Sequence, residues 1–102
     1  MSSREVAEGI QIQSDEEEIA YKIVTTNWAS SPSTPVGKAY KVVGSVETDV
    51  TSTVFPSNNP SISGDTITLS LLKNLIKDSK YKIEVKFTAG GNIYKCYFVV
   101  NT

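Results

Sequence analysis

Few residues in this 102-residue chain have side chains that commonly perform catalysis or bind metal ions. The sequence contains no histidine and a single cysteine, Cys96. These counts exclude a Ser-His-Asp or Cys-His catalytic site, a zinc site built from histidine or several thiolates, and a disulfide within the chain. Serine, lysine and carboxylate side chains are present, but their spacing does not indicate a concave site with perturbed pKa values. We therefore expect no enzymatic activity, no metal and no cofactor.

The densest cluster of charge is a run of four acids, Asp15, Glu16, Glu17 and Glu18. Carboxylates bind calcium, but the spaced ligands and the turn glycine of an EF-hand loop are missing here. The run is therefore either a solvated turn or an arm that docks on a basic face of a neighbouring copy. Residues 1–18 contain six acids against one arginine, a net charge of −5, whereas residues 19–102 contain nine lysines against five acids, a net charge of +4.

Four lysines recur towards the C-terminus, at Lys80, Lys82, Lys86 and Lys95. A stripe of this kind is typical of a nucleic-acid-binding face, or of an exposed strand on which lysine prevents edge-to-edge aggregation. The net charge of the whole chain is −1. Because that charge gives no general attraction to nucleic acid or to acidic membranes, we expect neither as a partner.

The residues around these lysines follow the two-residue period of a β-hairpin. Apolar side chains alternate with other residues in two runs, 81–87 and 94–100, and Gly90-Gly91 lies between them. Two glycines suit a two-residue turn that needs positive φ. With that turn at the centre, we predict four facing pairs: Phe87 with Tyr94, Val85 with Cys96, Ile83 with Phe98, and Tyr81 with Val100. All four lie on one face, so Cys96 is expected to be a small buried hydrophobe.

Short stretches typical of strands precede this hairpin. We predict strands at Ile19–Thr25, Gly37–Gly44 and Ser45–Pro56, the last with an irregular turn near Asp49 as the alternative to a continuous strand. We also predict a brief edge strand at residues 9–13 and a tight hairpin that places Ile62 opposite Ile67. Leu72–Ile76 also fits one helical turn, but we favour a compact corner because the next strand follows directly. Trp28 is interpreted as a core or rim aromatic, with a ligand-stacking platform as the alternative.

Many short strands without a convincing helix indicate an all-β protein. The length favours an immunoglobulin-like or fibronectin-type β-sandwich of about seven strands. We expect residues 1–15 to form a flexible acidic N-terminal arm and residues 16–102 to form the domain. No apolar run reaches the length of a membrane span, and the polar N-terminus does not resemble a signal peptide.

The segment Leu72–Val85 resembles the corner before the penultimate strand of immunoglobulin-like and fibronectin-type domains. In those domains a leucine precedes a loop, and a tyrosine then opens the strand. The resemblance implies that Tyr81 is the structural tyrosine-corner residue, whose hydroxyl bonds to the backbone upstream. The Cys…Trp…Cys pattern of antibody domains is absent, so the chain does not resemble that subgroup.

A longer stretch, roughly residues 16–100, resembles small immunoglobulin-like proteins encoded among tailed-phage and prophage structural genes. The features that carry this resemblance are, in order, the acidic stretch and strand at 16–25, Trp28, Asp49–Val54, Ser61–Ile67, the tyrosine corner and the Gly-Gly hairpin. The resemblance implies a virion component, such as a head-decoration, neck or tail accessory protein. Its location would be the virion and, during assembly, the host cytoplasm.

We expect a partner to bind the outward face of the hairpin, because that face has more apolar and aromatic groups than a monomer needs. The candidate interface residues are Lys82, Glu84, Lys86, Lys95, Tyr97 and Val99. The occupant is either other virion proteins or copies of the chain, with Asp15–Glu18 as an intersubunit arm, or the chain's own N-terminal segment. The alternative function is a carbohydrate- or cell-surface-binding module that stacks sugar rings on Trp28, Tyr40 or Tyr97. No small-molecule substrate is expected.

Overall fold

The computed structural model describes residues 3–25 and 31–102, with side chains from residue 12 onward. Trp28 lies outside the described residues, so its predicted role is not addressed. Within the described ranges the chain forms eight strands and one short helix. In chain order these are β1 (Ser3–Ile12), β2 (Lys22–Val24), β3 (Ser33–Val43), β4 (Val46–Asp49), α1 (Thr51–Val54), β5 (Ser61–Ser63), β6 (Thr66–Thr68), β7 (Lys80–Ala89) and β8 (Asn92–Asn101). The prediction of a mostly β protein is confirmed.

The strands form two sheets. One has five strands in the order β1-β8-β7-β3-β4, and the other has three strands in the order β2-β6-β5. Neighbouring strands are antiparallel except for β1, which runs parallel to β8. Both sheets contribute to one core, since Ile67 from the small sheet and Ile83 from the large sheet are each fully buried. The rings of Tyr21 and Phe98 pack against each other at 4.9 Å between centroids.

The β7–β8 hairpin has the predicted register. Tyr81 pairs with Val100, and the three other predicted pairs are also observed. Gly90 and Gly91 adopt φ values of 57° and 79°, the left-handed conformation that the turn requires and that glycine adopts without strain. The inward residues of both strands are buried, including Cys96, whose side chain is completely inaccessible. The local pattern therefore predicted both the pairing and the buried face.

The segment Ser45–Pro56 is not one continuous strand, and the irregular turn predicted near Asp49 as the alternative is observed. Strand β4 ends at Asp49, and residues Thr51–Val54 form a one-turn helix. The carboxylate of Asp49 accepts hydrogen bonds from the backbone N–H of Thr51 at 2.9 Å and from its hydroxyl at 2.7 Å. This side-chain-to-backbone bond competes with ladder pairing and turns the chain inward, so that Val54 and Phe55 are buried.

The small sheet and the corner that follows it agree with the sequence pattern. Ile62 pairs with Ile67 as predicted. Residues 72–76 are not helical but form the compact corner that the sequence favoured. The strict alternation of buried and exposed residues ends within this stretch. Leu69, Leu72 and Leu75 are buried, whereas Leu71 is 46% exposed.

The N-terminal segment is the largest departure from expectation. Residues 1–15 were expected to be a flexible arm, with a brief strand at 9–13, whereas β1 covers Ser3–Ile12 and pairs with β8. Without β1, the outer edge of β8 would present unpaired backbone N–H and C=O groups, which an extended segment satisfies. The pairing is interrupted between Glu5 and Ile10. The domain boundary at residue 15 stays a prediction.

Candidate protein-interaction surface

The outer face of the five-stranded sheet brings the six predicted interface residues together. Across β7 and β8, Lys86 pairs with Lys95, Glu84 with Tyr97, and Lys82 with Val99. Strand β3 adds Lys38 and Tyr40, because Lys38 is paired with Glu84 and Tyr40 with Lys82. Residues on alternate positions of a strand share a face, so these side chains lie opposite the core.

Glu84 is the centre of this face. It is only 8% exposed, which is rare for an isolated charge. Its carboxylate is paired on both sides, with the Nζ of Lys82 at 3.4 Å and the Nζ of Lys95 at 3.4 Å. Lys82 also reaches Glu47 on β4 at 3.6 Å and lies 5.0 Å from the centre of the Tyr97 ring. An ionic network therefore crosses β4, β7 and β8.

The network changes the titration of Lys82. Partial desolvation opposes its charge, but the carboxylates of Glu47 and Glu84 outweigh that effect and raise the pKa of Lys82 above its ordinary value. The ammonium group is thus held in its charged form by the two carboxylates.

Beside the network lies a shallow depression of about 360 Å³, lined by Val36, Lys38, Tyr40, Glu84, Lys86 and Lys95. Lys38 and Lys86 are exposed and form no ion pair within 4.0 Å among the described side chains. Two apolar residues of the same face, Val36 and Ile93, are each 48% exposed. We call Val36, Lys38, Lys86, Ile93 and Lys95 the basic patch. Among the described side chains, the carboxylate of Glu84 lies within the patch and that of Asp49 interacts with Lys38, so the three patch lysines leave a surplus of positive charge.

The acidic run does not lie on this face. Asp15, Glu16, Glu17 and Glu18 are all exposed and occupy the turn that leads from β1 to the small sheet. The turn is closed by the N–H of Glu17, which donates to the carbonyl of Ser14 at 3.2 Å, and by the N–H of Ser14, which donates to Glu17 Oε1 at 2.8 Å. Glu18 makes a long contact of 3.9 Å with Lys73. We call Asp15–Glu18 the acidic turn.

Gln13 anchors the acidic turn, and sequence reasoning missed it. Its side chain is fully buried. Its Nε2 donates to the carbonyl of Leu72 at 2.7 Å and to that of Glu17 at 2.9 Å, while its Oε1 accepts from the hydroxyl of Tyr21 at 2.9 Å. A lone glutamine in a polar stretch carries no pattern that predicts such burial.

Glu47 and Lys38 were also missed as members of the surface. The Gly44 turn pairs Val42 with Glu47 and so places Glu47 on the face of Tyr40. Lys38 lies on that face because it is two residues before Tyr40 on β3. The hairpin rule that worked at Gly90-Gly91 could have located both residues.

Tyr81 lies beneath this surface, in the core. It is 1% exposed, and its hydroxyl accepts a hydrogen bond from the backbone N–H of Ile76 at 2.8 Å. That contact joins the start of β7 to the corner upstream of it. Tyr81 therefore has a structural position, away from any partner.

The cysteine and the acidic side chains of the described residues are the other candidate reactive or metal-binding groups. Burial raises the pKa of the Cys96 thiol to about 12, so it stays protonated and poorly nucleophilic at neutral pH. Among residues 12–25 and 31–102, no group of three or more His, Cys, Asp or Glu side chains is placed to hold a metal ion. Nor does the described part of the chain contain a helix long and apolar enough to cross a membrane.

Comparison with known proteins adds no relative: the chain matches no protein-family model, no curated protein and no solved structure.

Proposed function

We propose that the protein is a non-enzymatic interaction protein with an immunoglobulin-like β-sandwich, and that it binds neighbouring subunits through the outer face of its five-stranded sheet. The specific form of the proposal, suggested by the sequence resemblance, is an accessory component of a phage particle. It would be located in the virion and, during assembly, in the host cytoplasm.

The strand order supports the immunoglobulin-like part of the proposal. Immunoglobulin sandwiches place strands B, E and D in one sheet and strands G, F and C in the other, with C′ beside C in the variable type. The small sheet here has the order β2-β6-β5, and the large sheet contains β8-β7-β3-β4, which corresponds to B-E-D and G-F-C-C′. The bond from Ile76 N–H to the hydroxyl of Tyr81 is the contact that a tyrosine corner would make.

The binding part of the proposal rests on one observation. Val36 and Ile93 are each about half exposed on the same face as Lys38 and Lys86, whose ammonium groups form no ion pair within 4.0 Å among the described side chains. Exposed apolar residues surrounded by charges are typical of protein interfaces, where the apolar groups supply buried area and the charges supply specificity.

The experiment is quantitative mass spectrometry of purified phage particles from the cells that encode the chain. We expect the wild-type chain at a constant ratio to the other particle proteins, and we expect Val36→Ser/Ile93→Ser to be depleted from particles. The matched control is Val24→Ser/Leu71→Ser, which removes two exposed apolar residues elsewhere, 61% and 46% accessible. Wild-type chain at background level in particles, or equal incorporation of both variants, would overturn the proposal.

Carbohydrate binding is the second candidate. It is favoured by Tyr40 and Tyr97, which both lie half-buried on the same face, near the carboxylate of Glu84. An aromatic ring beside a carboxylate can stack on a sugar and accept hydrogen bonds from its hydroxyls. Glycan-array binding that is lost in Tyr40→Ala would support it over subunit binding, and an array without signal would reject it.

A further inference from the structure

The basic patch and the acidic turn lie at opposite ends of the molecule. The N–H of Gln13 donates to the carbonyl of Asn101 at 3.0 Å, which fixes the start of the acidic turn beside the last residue of β8. Lys95 precedes Asn101 by six residues on the same strand. At about 3.3 Å per residue, the two positions are about 20 Å apart.

The acidic turn also leads away from the face that holds the patch. The buried Gln13 side chain binds Leu72 O, and Ile19 forms a β-bridge with Leu72, so the chain after Gln13 passes to the small sheet. Lysine and glutamate side chains span only a few ångströms each and cannot close a gap of this size. Pairing between the patch and the turn of one molecule is therefore excluded by geometry.

Two patches facing each other across a two-fold axis would repel. Each patch presents Lys38, Lys86 and Lys95. Among the described carboxylates, Glu84 is already shared between Lys82 and Lys95, and Asp49 beside Lys38 offsets the positive charge only in part. Like charges brought together in an interface are unfavourable, and the penalty grows as water is removed. The patch therefore fits an acidic occupant rather than its own copy.

The acidic turn is complementary in charge to the basic patch. Asp15 and Glu16 are exposed and make no ion pair with the described side chains. The hydrogen bonds of Ser14 and Gln13 order the turn in advance, which lowers the entropy that its binding would cost.

We propose that the acidic turn of one copy, Asp15–Glu18, docks on the basic patch of a second copy, so that the chain associates head to tail. This inference rests on the proposed function and specifies the partner of the same face. Repeated head to tail, this contact is heterologous and builds a ring or an open filament, whereas a reciprocal two-fold pair would use the same contact twice.

The test is sedimentation velocity at low and high ionic strength on three purified chains: the wild type, Lys38→Gln/Lys86→Gln, and Asp15→Asn/Glu16→Asn. The wild type should form multimers at low ionic strength and dissociate as salt screens the contact. Each variant alone should be monomeric. An equimolar mixture should form a 1:1 complex and stop there, because one variant keeps a working turn and the other keeps a working patch.

The matched control is Lys22→Gln/Lys77→Gln, which removes the same charge from two exposed lysines outside the patch and should assemble like the wild type. Monomeric wild type at low ionic strength, multimers of either site variant, or binding of the patch to duplex DNA in preference to a second copy would overturn the inference. If mass spectrometry still finds the chain in phage particles, the proposed function stands even though the head-to-tail inference has failed. The two failures are therefore distinguishable.

Discussion

The hydroxyl of Tyr21 donates a 2.9 Å hydrogen bond to Oε1 of Gln13, which is a fully buried amide between the end of β1 and the small sheet. The same amide binds two carbonyls, those of Leu72 and Glu17. One side chain therefore connects β1, the acidic turn and the corner before β7.

We predict that Gln13→Ala destabilises the protein by about 2–4 kcal/mol, because it leaves buried carbonyls without a donor and creates a small cavity. Tyr21→Phe removes only one of the bonds and should cost about 0.5–1.5 kcal/mol. Urea unfolding followed by circular dichroism measures both. Ser14→Ala, an exposed neighbour, is the control and should be nearly neutral. A Gln13→Ala effect no larger than that of the control would contradict the prediction.

Tyr81→Phe should destabilise the corner by about 1–2 kcal/mol, since the N–H of Ile76 loses the acceptor it binds at 2.8 Å. Amide hydrogen exchange should become faster at Ile76 while the centre of β7 stays protected. The control is Tyr40→Phe, which removes the hydroxyl of a half-exposed tyrosine. Unchanged exchange at Ile76 would show that the bond does not hold the corner.

Glu84→Gln should destabilise the large sheet by about 1–2 kcal/mol, because Lys82 and Lys95 both lose the carboxylate that lies 3.4 Å from their ammonium groups. The loss should be smaller at high salt, where the remaining charges are screened. Thermal unfolding at two ionic strengths measures this, with Asp65→Asn as a charge-matched control outside the network. Equal effects of the two substitutions would rule out a special role for Glu84.

The raised pKa of Lys82 predicts a pH dependence. A lysine whose pKa is higher in the folded state contributes stability that is fully present below its ordinary pKa of 10.5 and is lost as the pH rises through the folded value. The difference in unfolding free energy between wild type and Lys82→Met should therefore shrink above that pH. If the difference in unfolding free energy between the two proteins grows at alkaline pH instead, the prediction is contradicted.

Cys96 should resist thiol reagents in the folded state, since it is fully buried and burial raises its pKa to about 12. Modification should follow global unfolding, so its rate should increase in parallel with the unfolded fraction as urea is added. The control is a surface cysteine introduced as Ser57→Cys, which should react at once. Rapid modification of wild-type Cys96 without denaturant would show that β8 opens locally.

The amino-acid pattern was sufficient to predict the features that depend on neighbouring residues. The alternation from Tyr81 to Phe87, with Gly90-Gly91 as the turn, was enough to predict the strands, their pairing and the buried face, because a period of two has one register that buries every apolar group. The same reasoning placed Ile62 opposite Ile67. The same alternation also predicted which residues of the hairpin lie on the outer face around Glu84.

The contacts that join distant parts of the chain became visible only in the folded protein. Gln13 reaches Leu72 across 59 positions, and β1 pairs with β8 in parallel from opposite ends of the sequence. The sequence predicts a brief strand at residues 9–13 but not its partner, and the Gln13 contact leaves no periodic signal, because both contacts satisfy backbone or amide groups rather than an apolar stripe. The distance between the acidic turn and the basic patch likewise follows from where Gln13 is anchored, and composition alone could not separate pairing within one molecule from pairing between two.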